Sequence, residues 1–303
     1  MTERLGAFNR PPALRRTWLF GAGADRAAHQ AMADSAADVL IQDLEDFTPP
    51  PRRPDARDLA RNLYAQWSDA GAMTCMRINA LDGDGAADLA AAMAAGVAIV
   101  AYPKATSADE MRALAAAIDV HERALGIAIG ETEILPVCET ARGVVDVRMI
   151  AAASPRIRCA LLGAEDLAAN LCAERERDGT ELDHSRRRFI VECRAAGIEP
   201  IDAPYTFSDV DWAVAEARFA RRLGYRCKSL VLPAHARHIR DVLTPSADEV
   251  AHAEEMVAAF EAARARGEDR ALVRGLWVEV PASLNARRLI ARSIELRQAD
   301  RTA

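Results

Sequence analysis

The chain has 303 residues, half of them apolar, enough to bury a substantial hydrophobic core. Its formal net charge of −6 argues against a nucleic-acid partner, because gripping phosphates needs a basic face. Six cysteines (Cys75, Cys138, Cys159, Cys172, Cys193 and Cys227) show no metal-ligand spacing, and Cys75, Cys138, Cys159 and Cys227 lie in apolar runs where a thiol packs as a small hydrophobe.

Along the chain, apolar runs of strand length alternate with amphipathic stretches of helix length. The pattern predicts a strand at 17–20 and a helix at 26–35, then a strand at 39–43 and a helix at 55–67. Strands at 74–79 and 98–103 follow, with helices at 85–95 and 108–125. Further strands are expected at 134–139, 159–163, 199–203 and 228–232, with helices at 143–152, 183–196 and 209–222 between them. Strands alternating with single helices imply right-handed crossovers and a parallel sheet. Eight such units predict closure into a (β/α)8 TIM barrel, with an open doubly wound sheet as the alternative. Beyond the eighth strand, Pro245 and Ser246 open a helix expected to end near Ala265, and a short piece leads to a last helix at 282–296. The expected organisation is a barrel domain over 1–243 and a helical extension over 244–303, which packs on the barrel or on a neighbouring subunit.

The first residues carry Glu3 and Arg4 and lack the apolar core of a signal peptide, and the mild apolar stretch at 89–102 is too short and too rich in Ala and Gly to span a bilayer. The expectation is a reduced, soluble, cytoplasmic protein with no membrane partner.

In a parallel barrel the active site forms at the carboxyl ends of the strands, where the βα loops converge. The expected second strand ends in Asp43-Leu44-Glu45-Asp46, the third in Arg77-Ile78-Asn79 and the fourth in Pro103-Lys104. The fifth ends in Glu139, the sixth runs into Glu165-Asp166, and the seventh ends in Asp202. Any one of these alone reads as a rim charge or a helix cap. Six consecutive strand ends carrying ionisable groups predict one shared space. Glu139 and Asp166 would emerge there side by side, and two carboxylates with coordination positions left open suit Mg²⁺. Asp43, Glu45 and Asp46 cannot all stand unpaired in one pocket, so one or two of them are expected to accept hydrogen bonds from metal-bound waters or to pair with Arg77 or Lys104. A lone Lys104 would suggest Schiff-base chemistry, but an ammonium among carboxylates stays protonated and poorly nucleophilic. Gly21-Ala22-Gly23, after the first strand, could cradle a phosphate.

Several motifs extend this pattern: Arg16-Thr17-x-Leu19-Phe20, Ala37-Asp38-x-x-Ile41-x-Asp43-Leu44-Glu45-Asp46, Ala56-Arg57, Arg77-Ile78-Asn79 and Pro103-Lys104. They continue with Glu139-Thr140-x-x-Gly143, Gly163-Ala164-Glu165-Asp166-Leu167, Ala196-Gly197 leading to Asp202, and Leu223-Gly224-Tyr225-x-x-Lys228. Pro245-Ser246 and Ala259-Phe260-Glu261 complete the series. In order and spacing they resemble the citrate lyase β-subunit-like family, also called the HpcH/HpaI aldolase family, over nearly the whole chain. The resemblance implies a Mg²⁺-dependent barrel that assembles as a homotrimer or hexamer. It implies a lyase that makes or breaks a C–C bond between an enolate, usually of an acyl-CoA, and a 2-oxo acid.

Residue by residue, the resemblance implies Glu139 and Asp166 as metal ligands and Arg77 as a substrate-binding and catalytic group, with Glu139 also beside the substrate. Asp43 and Glu45 join them as catalytic candidates. The family's tail motif Gly-Lys-Met-x-Asp-x-Pro, which donates an acid/base across the subunit interface, corresponds here to Gly275-Leu276-Trp277-Val278-Glu279-Val280-Pro281. Glu279 thus replaces the expected Asp with one more methylene of reach. Two departures bear on coenzyme A: Val231-Leu232-Pro233 stands where the family has Ile-His-Pro, and Gly21-Ala22-Gly23 where it has Val-Pro-Gly. The favoured expectation is a malyl-CoA or citramalyl-CoA type lyase. The alternatives are a CoA-independent pyruvate aldolase acting on 4-hydroxy-2-oxo acids, or a citrate lyase β-type subunit that needs an acyl-carrier partner.

Overall fold

Eight short apolar runs pair in parallel, each with the next, and the last returns to the first to close a barrel. The computed structural model describes residues 10–302. Its barrel strands are β1 (Thr17–Ala22), β2 (Val39–Asp43), β3 (Met73–Arg77), β4 (Ile99–Tyr102), β5 (Glu133–Cys138), β6 (Cys159–Leu162), β7 (Glu199–Tyr205) and β8 (Cys227–Leu230). The crossovers are α1 (Arg26–Ala33), α2 (Arg53–Asp69), α3 (Gly85–Ala94), α4 (Ala108–Leu125) and α5 (Ala141–Ala151). A six-residue α6 (Glu165–Asn170), which the sequence pattern is too short to reveal, precedes α7 (Asp183–Ala195), α8 (Val210–Leu223) and α9 (Pro233–Leu243).

Alternation along each strand sorts residues into two layers. Trp18, Phe20, Val39, Ile41, Cys75, Ala101, Val137, Leu161 and Ile201 face inward and fill the barrel, and the indole of Trp18 donates to the Arg15 carbonyl at 2.9 Å. Leu19, Leu40, Met76, Val100, Cys138 and Leu162 face outward against the helices. The amino-terminal end is closed by buried ion pairs. Arg15 forms a fork with both Glu133 oxygens at 2.6 and 2.7 Å, and Arg16 reaches Asp38 at 3.0 Å. The Arg16 and Asp38 motif positions therefore hold the barrel floor, far from the strand ends that carry chemistry.

The chain divides into two compact units after Leu243. The second contains α10 (Ala247–Ala265), β9 (Ala271–Val273), β10 (Leu276–Val278) and α11 (Val280–Thr302). A capping box opens α10: Glu249 N–H donates to Ser246 Oγ at 3.2 Å, and Ser246 N–H to the Glu249 carboxylate at 2.8 Å. β9 and β10 make an antiparallel hairpin, where sequence analysis gives only a connecting piece. Its two-residue turn places Arg274 at φ 48° and Gly275 at φ 81°, the left-handed pair that such tight hairpins use. The last helix begins at Val280, so Pro281 sits in its first turn, where the missing N–H costs nothing. No described helix is long and apolar enough to cross a membrane.

Candidate active site at the barrel mouth

Parity decides which strand-end charges reach the mouth. Asp43 continues the inward row Val39–Ile41, Arg77 the row Met73–Cys75, and Glu139 the row Leu135–Val137. Asp43 and Arg77 are also direct register partners across β2 and β3. Arg77 Nε and Nη2 grip the two Asp43 oxygens at 2.7 and 2.5 Å. The same oxygens accept the backbone N–H groups of Glu45 and Phe47 at 2.9 and 3.1 Å. Asp43 is fully enclosed, and its acceptor capacity is consumed. Those bonds hold Arg77 in place from one edge.

The remaining guanidinium nitrogen, Arg77 Nη1, stands 2.8 Å from Glu45 Oε2 and 3.9 Å from Glu139 Oε2. Glu45 Oε2 is buried and accepts no well-aligned hydrogen bond, so this contact is charge against charge with directional capacity to spare on both sides. Phe20 and Phe47 flank the guanidinium with ring centres 5.2 and 5.9 Å away, a pair of walls that the charge pattern does not reveal. Asp46 adds a half-exposed carboxylate 3.3 Å from Nη2.

Lys104 follows β4 with a left-handed backbone, φ 46°, uncommon for any residue but glycine. This turn aims its N–H at Glu139 Oε1, 2.9 Å away. Its Nζ lies 2.6 Å from Glu45, 3.8 Å from Asp166 and 4.0 Å from Asp46. Burial pulls the ammonium's pKa down, but the Glu45 hydrogen bond and the charges of Glu45, Glu139 and Asp166 outweigh it and raise the pKa overall. A raised pKa disfavours the neutral amine that Schiff-base chemistry needs. Burial lifts the Glu45 carboxyl above its ordinary range against Arg77 and Lys104. It pushes Glu139 up to about 7, against Arg77's charge and the Lys104 N–H.

Glu139 is 4% exposed, and Gly163 explains how it fits. A Cβ at Gly163 would stand 2.4 Å from Glu139 Cβ and 2.9 Å from its Oε2. Gly163→Ala is therefore expected to displace Glu139 and to destabilise the barrel by about 1–3 kcal/mol, read as a lower Tm. A variant melting like the wild type would show that this slot relaxes. Asp166, in the first turn of α6, keeps its side chain 37% exposed, 3.8 Å from the Lys104 ammonium.

Asp202 does not join the cluster. It follows inward-facing Ile201 on β7, so it points outward into the helical layer. There Arg186 of α7 grips both its oxygens at 2.9 and 2.7 Å, and Lys228 Nζ lies 2.6 Å away. Glu216 of α8 completes this buried network, 3.1 Å from Arg186. The sixth strand-end charge is structural. The Gly21-Ala22-Gly23 loop also differs from its expected use. β1 runs through Ala22, and the Gly23 N–H is already taken by Asp43 O at 3.0 Å and Thr48 Oγ1 at 2.8 Å, leaving no phosphate cradle there.

A groove of about 740 Å³ opens beside this loop, lined by Arg26, Phe47, Pro49, Arg52, Asp55 and Asp58 among others. Its charges are mixed, and Arg52 is paired with Asp55 at 2.7 Å. Glu279 belongs to the second unit, exposed between β10 and α11, with its carbonyl accepting the Ser283 N–H at 2.9 Å.

Residues 16–233 match the family described as HpcH/HpaI aldolase/citrate lyase. The chain is similar to citrate lyase subunit beta of Escherichia coli, 32% identical over 281 residues spanning 92% of this chain and 93% of that protein. It is similar to L-malyl-CoA/beta-methylmalyl-CoA lyase of Cereibacter sphaeroides, 32% identical over 310 residues spanning 94% and 97%. A crystal structure of the protein CitE from Mycobacterium tuberculosis in complex with magnesium, acetoacetate and coenzyme A shares 30% identity at a TM-score of 0.74, over 94% of this chain and 99% of that one. A closed eight-stranded barrel with a charged mouth, matched over most of its length, thus belongs to the HpcH/HpaI aldolase/citrate lyase family of carbon–carbon lyases.

Proposed function

We propose that the chain is a Mg²⁺-dependent lyase that cleaves, or in reverse forms, a 3-hydroxyacyl-CoA of the malyl-CoA or citramalyl-CoA kind, yielding an acyl-CoA and a 2-oxo acid. One observation carries the proposal: Arg77 is locked by Asp43 on one edge and turns Nη1 toward Glu45 and Glu139, 2.8 and 3.9 Å away, as an ion pair without an aligned hydrogen bond.

The donors fit magnesium. They are all carboxylate oxygens, and Glu45 Oε2 is buried without an aligned hydrogen bond. Among the described residues no group of three or more His, Cys, Asp or Glu is placed to hold an ion. Mg²⁺ is commonly held by one or two carboxylates, with water and substrate oxygens completing six positions. Glu139 and Asp166 would be those two. When bound, the ion would supply Lewis acidity toward substrate oxygens. Arg77 Nη1 binds the 2-oxo acid portion and stabilises the oxygen on which negative charge grows. Cleavage moves the C–C electron pair into the thioester enolate while the substrate hydroxyl loses its proton. The ionised Glu45 carboxylate, its proton affinity raised by burial, takes the hydroxyl proton, and protonated Glu279 is assigned the proton delivered to the enolate carbon; exchange with solvent returns both acids to their starting states.

The mixed-charge groove and Leu232 favour a second reading, an aldolase acting on 4-hydroxy-2-oxo acids without coenzyme A. Purified chain with Mg²⁺ is expected to release 2-oxo acid and acyl-CoA from malyl-CoA or citramalyl-CoA, with EDTA stopping the reaction. Turnover of 4-hydroxy-2-oxo acids alone would replace the first reading with the second. Activity only after addition of an acyl-carrier protein would identify a citrate lyase β-type subunit. Glu279→Ala chains mixed with Arg77→Ala chains are expected to regain activity if the tail acid serves a neighbouring subunit in the trimer or hexamer.

A further inference from the structure

We infer that Lys104 is the internal counter-cation of the mouth: its ammonium occupies the space among Glu45, Asp46 and Asp166 that a divalent ion's charge would take over, and so sets how tightly the ion is held. The inference rests on Glu139 and Asp166 being the ligands.

Charge balance is the first argument. Asp43, Glu45, Asp46, Glu139 and Asp166 are five carboxylates facing two cations, Arg77 and Lys104. Without Lys104 only Arg77 would offset them. The two cations are held very differently. Arg77 is 6% exposed and forked onto Asp43, so it cannot leave without stranding a buried carboxylate. The Lys104 side chain is 45% exposed on a flexible four-carbon stem, and its ammonium can withdraw into water. Its backbone stays fixed, because the N–H holds Glu139 Oε1 at 2.9 Å whatever the side chain does. One residue therefore keeps a ligand oriented while its own charge competes with the incoming ion.

The backbone supports the same reading. At φ 46° glycine would be the less strained choice, and the lysine found there places an ammonium at the mouth while its N–H turns to Glu139. From the loop after β4, that side chain reaches carboxylates of two other loops, Glu45 and Asp46 following β2 and Asp166 following β6.

The test measures ion binding directly, using Mn²⁺ followed by electron paramagnetic resonance, Mg²⁺ as competitor, and thermal unfolding with and without Mg²⁺. Lys104→Met is expected to bind Mn²⁺ about tenfold more tightly than the wild type, because a nearby positive charge has been removed. It is expected to melt lower without metal and to recover most of that loss at saturating Mg²⁺. Lys104→Gly, which suits the left-handed backbone and keeps the N–H to Glu139, should show the same tightening. Lys104→Arg, which keeps the charge, should bind within about twofold of the wild type. Unchanged or weaker binding in both Lys104→Met and Lys104→Gly, with Glu139→Gln still abolishing it, overturns the role of Lys104 alone. Binding that survives Glu139→Gln removes the ligand assignment and this inference with it.

Discussion

Arg77→Lys is expected to lower kcat by about 10²–10³-fold, with a smaller change in Tm than Arg77→Met. The reason lies in how the guanidinium is shared. Nε and Nη2 are spent on Asp43 and only Nη1 faces the pocket, an arrangement that needs the planar fork. A lysine ammonium restores one charge near Asp43 but cannot grip both oxygens and reach a substrate as well. Arg77→Met removes the charge altogether and leaves Asp43, fully enclosed, as a buried carboxylate without its cation. Such losses cost about 3–5 kcal/mol, which for a domain of this size is roughly 6–20 °C in Tm. Adding Asp43→Asn to Arg77→Met should recover much of that stability and none of the activity. Thermal unfolding and steady-state kinetics on the three variants separate the two effects. A stable, fully active Arg77→Lys would sink the assignment of Nη1 to the substrate.

The same geometry shows what the sequence made legible. Strand β2 and helix α4 begin and end where hydrophobic period and capping place them, and most other ends shift by one or two residues. Asp43, Arg77 and Glu139 could be found because each extends an alternating row of barrel-lining residues. Asp202 was misplaced although the signal was available: it follows Ile201 immediately, so it must face the opposite layer. Its partners Arg186, Glu216 and Lys228 are scattered over α7, α8 and β8, and no local pattern announces that they meet. Lys104 was legible as a charge, but its left-handed turn and its N–H on Glu139 arise from the packing of two loops. Phe20 shares the inward row of Trp18, whereas Phe47 sits on a loop where periodicity has nothing to say. The hairpin of β9 and β10 is harder to read because each strand is an apolar run of only three residues, too short for a period to show, and Leu272, Leu276 and Trp277 are exposed although apolar.

Glu139→Gln should abolish Mg²⁺ binding and turnover, and its effect on stability should reverse with the ion. Without metal, burial holds the Glu139 carboxyl up to about 7, above the 4.5 of a free glutamate. The folded state therefore binds more protons than the unfolded state between those values, and wild-type stability falls as pH rises through that window. Above about pH 7 the full penalty is present, of order 3 kcal/mol for this nearly enclosed group. A neutral glutamine escapes it, so in EDTA at pH 8 the variant should melt at least as high as the wild type. Its stability should also lack this pH-dependent decline. Magnesium inverts the order, because binding to the native state alone stabilises by an amount set by the ratio of ion concentration to Kd. Only the wild type gains it. The ion requires the ionised carboxylate, so wild-type affinity should climb with pH up to about 7 and then level off. Thermal melts at pH 5, 6, 7 and 8, each with EDTA or with saturating Mg²⁺, measure all of this in one series. A Mg²⁺-induced rise in Tm retained by Glu139→Gln would show that the ion is held elsewhere.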